Sequence, residues 1–164
     1  MVEAVTSVVS CMVVKELSSQ AFSITLAHLT DLIRRPHPDM ASKSIQEELS
    51  DIVPTAQLHI IQSVLYDFEW LRTDSKTVDA LCERLTELAQ SIHGHAKHVQ
   101  LAIDEWNQLY FRTWRTLDVS THMKALRSDV AQLHQTFEVL KNLLPSCLNL
   151  SAARRVLTSS CAPK

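Results

Sequence analysis

Two ladders of apolar side chains constrain this chain more than any other feature. Val78, Leu81, Leu85, Leu88, Ile92, His95, Val99, Ala102, Trp106 and Leu109 step alternately by three and four residues. Val119, Met123, Leu126, Val130, Leu133, Phe137, Leu140 and Leu144 do the same. Three and four residues straddle one helical turn, so each ladder is one stripe along an α-helix. A stripe of that length has to be covered, which predicts long helices that need partners.

With 164 residues and 46% apolar content, the chain can bury one substantial core and is short for two domains. A single glycine argues against folds that depend on many tight turns. The expected fold is therefore all-α: an elongated four-helix bundle or helical hairpin with heptad, coiled-coil-like packing. It occupies residues 1–145 as one domain and is followed by a flexible or weakly helical tail at 146–164.

The helix boundaries follow from punctuation in the sequence. The first helix is expected at about 2–33, with Val5, Val8, Met12, Phe22, Leu26, Leu29 and Ile33 on one stripe, and Pro36-His37-Pro38 ends it. The second spans about 44–72, opened by a Ser44-x-x-Glu47 capping box and kinked or broken at Pro54. Leu58, Ile60, Ile61, Val64, Leu65, Phe68 and Leu71 cover so much of its circumference that a central, multiply buried helix is expected. Thr73-Asp74-Ser75 caps a third helix at about 75–116, roughly 60 Å long at the usual rise. The fourth covers about 119–144 and stops at Pro145.

The third helix carries an additional row at the positions following its d residues: Cys82, Ala89, Ala96, Ile103, Tyr110 and Leu117. A stripe of a, d and e positions is the wide face of a globular helix. The fourth helix has Ser120, Arg127, His134 and Lys141 in the equivalent row, so its stripe is narrow and its flanks polar. Between the two helices the register slips by three residues near Asp118. The sequence leaves open whether residues 75–144 form a hairpin or a single interrupted rod; a hairpin turn centred on Asp118 would place His98 opposite Glu138.

Few residue patterns point to chemistry. The chain has no CxxC, no HExxH, no GxSxG, no phosphate-binding glycine motif, and no Glu-x-x-His pair of the di-iron type. Of His93, His95 and His98, only the last two share a helical face, so no metal ligand set is nominated. No catalytic residue, cofactor, metal or small-molecule substrate is expected. His95 stands out because it replaces an aliphatic residue at a d position, where a polar side chain can specify register. Cys82, in the e row, is expected to be an inert core thiol.

The expected function is that of a non-enzymatic assembly subunit, pairing with other helical chains or with itself through heptad faces. Its candidate partner-binding residues are the aromatic set Trp106, Tyr110, Phe111 and Trp114. Met123, Leu126, Val130, Leu133, Phe137 and Leu140 join them as the narrow stripe of the fourth helix. The 16 basic and 18 acidic side chains leave a net charge of −2 and no dense basic run, so nucleic acid is not an expected partner.

Met1–Val14 is apolar, but Glu3 occupies the place of a basic leader and the run is shorter than the roughly 20 residues of a spanning helix. An intracellular protein, cytoplasmic or nuclear and not secreted, is expected, with reduced cysteines. The alternative is a membrane-acting four-helix bundle of the cell-death or pore-forming type, using that N-terminal helix. The low basic content of the segment speaks against this.

Overall fold

The computed structural model describes residues 20–36, 39–109 and 116–160, and every regular element among them is helical. The elements are α1 (residues 20–34), α2 (Met40–Ile52), α3 (Thr55–Asp67), α4 (Leu71–Asp74), α5 (Lys76–Gln108) and α6 (Ser120–Ser160). No helix among the described residues is long and apolar enough to cross a membrane. Met1–Val14, with the stripe members Val5, Val8 and Met12, lies outside the described residues.

α1 buries Phe22, Leu26, Leu29 and Leu32, while Ile33 is only partly covered. Thr25 is buried on the same face, and its hydroxyl donates to the Ala21 carbonyl (2.7 Å) and to the Ala89 carbonyl of α5 (3.1 Å). A buried hydroxyl without partners would be costly, so this bond also locks α1 to α5 at one height. The far end of α1 is satisfied from another element. Gln46 of α2 donates its amide to the carbonyls of Leu32 and Arg35, groups left without intrahelical partners at a helix C-terminus.

α2 begins earlier than the capping-box pattern implies. Asp39 is the N-cap, accepting from the Ser42 amide at 3.3 Å, and Ser44 is an exposed residue inside the helix. A Ser-x-x-Glu spacing places two residues on one helical face wherever it occurs, so the pattern does not distinguish a first turn from a second. The expected break at Pro54 is present, with Val53 and Pro54 outside both helices. A second interruption at Phe68–Trp70, which no proline or glycine announces, separates α3 from α4. α3 is half-buried and not the central helix expected: Leu58 and Ile61 are covered, but Ile60 is 57% exposed.

α5 starts where expected, capped by the Ser75 hydroxyl, which accepts from the Val78 amide. It passes straight through Gly94. It ends at Gln108, eight residues short of the expected boundary, with Leu109 in extended geometry (φ −78°, ψ 130°). The Leu109 amide bonds to the Trp106 carbonyl, tightening the last turn. Along α5 the residues at 1% exposure or less are Val78, Leu85, Ala89, Ile92, Ala96, Val99 and Ile103, with Leu88 and Cys82 close behind. The a and e rows thus form the centre of the buried face. In the d row, Leu88 is buried, but Leu81, His95 and Ala102 are only partly covered.

α6 buries its complete stripe from Met123 to Leu144, together with Val119 just before it. Contrary to the expectation that Pro145 ends the helix and a tail follows, α6 continues through Pro145 to Ser160. Proline removes one i→i−4 hydrogen bond, here to the carbonyl of residue 141. Both Pro145 and Lys141 are exposed, so water can satisfy that carbonyl, and Cys147 and Leu148 extend the packed side of the helix. α5 and α6 run antiparallel, since Arg84 bonds Gln132, Ser91 bonds Asp129 and His95 meets His122. Buried side chains from all six helices join one apolar cluster.

Candidate interaction site

The expected docking residues fall into three groups. Met123, Leu126, Val130, Leu133, Phe137 and Leu140 are all buried in the chain's own core. The narrow stripe of α6 is therefore no open edge, because α5 folds back over it. A partner could reach it only by displacing that helix. Trp106 is likewise withdrawn, at 8% exposure. Its indole Nε1 donates to Asp39 Oδ2 at 3.1 Å, joining the last turn of α5 to the N-cap of α2. Tyr110, Phe111 and Trp114 lie outside the described residues.

Asp39 is held as a carboxylate by this arrangement. Burial alone would raise its affinity for a proton. The neighbouring Ser42 hydroxyl and amide, and the Trp106 indole, outweigh that effect and place it below its ordinary value. Cys82 is covered, as its position in the e row implied. Burial pushes its thiol up to about 11, with Arg72 pulling down and Asp79 and Glu69 adding to the rise. A thiol so high is almost wholly protonated near neutrality and a poor nucleophile.

His95 is 30% exposed at its side chain and sits on the rim of the α5–α6 seam, not among aliphatic neighbours. Its Nδ1 lies 3.2 Å from His122 Nδ1, and its Nε2 lies 3.8 Å from Asp129 Oδ2. Asp129 also accepts from the Ser91 hydroxyl at 2.6 Å. His98 stacks on His122, with centroids 4.8 Å apart and planes within 10°. The expected partner of His98, Glu138, instead pairs with Lys141 on its own helix. A turn centred on Asp118 implied the wrong register. The pairing observed is centred close to the end of α5 and not on residues 116–119, the non-helical lead into α6. Asp118 does act within it, accepting from the Ser120 amide and hydroxyl, bonds that hold its carboxyl below the ordinary value.

His93 points to the other side of α5, toward α1. Its ring meets His28 edge-on at 4.8 Å. Burial, His28 and Lys97 together lower its proton affinity. The His28 Nε2 accepts from Gln100, whose amide oxygen then faces the Arg35 guanidinium at 3.0 Å. Arg35 in turn bridges Asp31 and Asp104. Among the described residues no group of three or more His, Cys, Asp or Glu side chains is arranged as a metal-binding cluster.

Exposed apolar side chains occur on several helices, among them Ile24, Ile60, Tyr66 and Leu101, and one row of them on α6 was not singled out by the ladders. Val139, Leu143 and Leu150 are spaced by four and seven on α6, and thus share a face roughly a quarter-turn from the buried stripe. Val139 is 46% and Leu150 72% exposed, with Leu143 half-buried. That spacing is itself a helical signal. It is obscured in the sequence because Pro145 falls between its members. Comparison with known protein families, curated proteins and solved structures finds no match to this chain.

Proposed function

We propose that the chain is a non-enzymatic interaction subunit. Its α1, α2–α3 pair, α5 and α6 act as an elongated four-helix bundle with heptad-like packing, and it assembles with another helical chain or a second copy of itself. The observation that supports this reading is the second apolar row of α6, Val139, Leu143 and Leu150, which lies outside the core formed by the two ladders. Large apolar side chains at i, i+4 and i+11 present the kind of stripe that an amphipathic helix covers. Docking on the flank of α6 is favoured by the burial of the ladder residues against one another.

The test compares the wild-type chain with a Val139→Glu, Leu150→Glu double variant. Both substituted residues are exposed, so helicity is expected to be retained. Sedimentation of the purified wild-type chain, and mass measurement of what accompanies the tagged chain from its native cell, should reveal an assembly that the variant loses. A wild-type chain that is monomeric and unaccompanied, or an assembly indifferent to both substitutions, would overturn the reading.

A further inference from the structure

The seam between α5 and α6 holds two imidazoles in an unusual relation. His95 Nδ1 and His122 Nδ1 face each other at 3.2 Å, from residues 27 apart in sequence. Only one of the two nitrogens can carry a proton if they are to attract, so one donates and the other presents its lone pair. Two nitrogens bound to one zinc ion at the usual 2.0–2.1 Å, in tetrahedral geometry, are roughly 3.3 Å apart. The apo spacing is already close to that of a pair of ligands. Behind His95, Asp129 lies 3.8 Å from Nε2 and is itself fixed by the Ser91 hydroxyl. A carboxylate beside the second nitrogen of a ligand imidazole sets its tautomer and strengthens it as a donor. His122 is steadied from its other side by the stacked ring of His98.

The geometry points to a transition-metal site, formed by His95 Nδ1 and His122 Nδ1 across the α5–α6 seam, that takes a divalent ion of the imidazole-preferring class such as zinc. The ion takes the place of the single proton between the two Nδ1 atoms; the ring that gives up that proton regains one from solvent on its Nε2, so that both rings bind as neutral imidazoles. Water completes the coordination, which the partial exposure of His95 allows. No cysteine is involved, so ions that favour nitrogen ligands are expected over those that require thiolate. Such a site would clamp the two long helices near the connection between them, and its occupancy would fall in acid as protons compete for the imidazoles.

The experiment is zinc titration of the full chain, followed by calorimetry and thermal unfolding. One ion per chain is expected, with a Tm rise of about 3–6 °C once zinc exceeds its Kd tenfold. His95→Gln and His122→Gln should each weaken binding at least tenfold, whereas His134→Gln, about three turns along α6, should not. Ring-nitrogen resonances of the wild-type chain give a reading that needs no variant: zinc should shift those of His95 and His122 before those of other histidines. Absence of binding at millimolar zinc, or binding that leaves these two rings unperturbed or survives both substitutions, would overturn the assignment.

Discussion

The indole nitrogen of Trp106 hydrogen-bonds the carboxylate of Asp39 across 67 residues of sequence. The same Asp39 oxygen accepts the Ser42 amide, so one carboxylate both caps α2 and anchors the end of α5. Trp106→Phe keeps most of the apolar volume but removes the donor. It should cost about 1.5–3 kcal/mol, the range for a hydrogen bond to a charged group. Asp39→Ala removes the cap as well, and should cost roughly 1 kcal/mol more. Chemical denaturation of both single variants and the double variant should show coupling, with the double variant less destabilised than the sum.

Gly94 lies inside α5, and a methyl group added there would meet nothing within 4 Å. Its backbone has no left-handed conformation to preserve. Gly94→Ala should therefore raise stability by about 0.5–1 kcal/mol, through helix propensity and a less flexible unfolded chain. A melting curve at higher temperature than the wild type would show it.

Leu133 and Val139 are six residues apart on α6 and have opposite surroundings, one fully buried and the other substantially exposed. Leu133→Ala should destabilise the chain by about 2–5 kcal/mol through a cavity in the core. Val139→Ala should stay within about 0.5 kcal/mol. Similar values for the two in urea unfolding would mean that the faces of α6 have been assigned wrongly.

His93 should make the fold sensitive to acid. Burial, His28 and Lys97 lower its proton affinity in the folded state below the ordinary histidine value of 6.5. The unfolded chain therefore binds that proton more readily. The associated stability is present above about pH 6.5 and declines as the pH falls from there through the lowered folded value. His93→Gln should flatten this part of the stability profile measured by urea unfolding between pH 7.5 and 5. The comparison is made against His122→Gln, a substitution on the α6 side of α5 that does not touch His93 or His28 and should leave the His93 component in place.

How much was legible follows from how local each cause is. Ser75 caps α5, and its hydroxyl and the helix it opens are adjacent in sequence. The stripe from Val119 to Leu144 is buried as its spacing required, since periodicity depends only on the helical repeat. The end of α5 was not legible: Asn107, Gln108 and Leu109 contain no breaker, and the periodic pattern continues through Leu109 and Tyr110. Trp106 illustrates a related difficulty for the site. Its residue type is common in interface hot spots and in cores alike, and only its contact with Asp39 distinguishes the two.

By itself the sequence determined that the described chain is helical, which stripe each long helix buries, and that α5 has a wide covered face. These follow from side-chain periodicity and capping chemistry within a few residues. The tertiary structure decided what covers each stripe. It set α5 on α6 in a register that brings His95 to His122 instead of His98 to Glu138, and it carried α6 beyond Pro145. Those outcomes depend on contacts between residues far apart in the chain, whose energies are summed over the whole core and leave no short-range mark in the sequence. The ladders that require partners thus found them within the chain, and the row left outside is the later and less conspicuous one at Val139, Leu143 and Leu150.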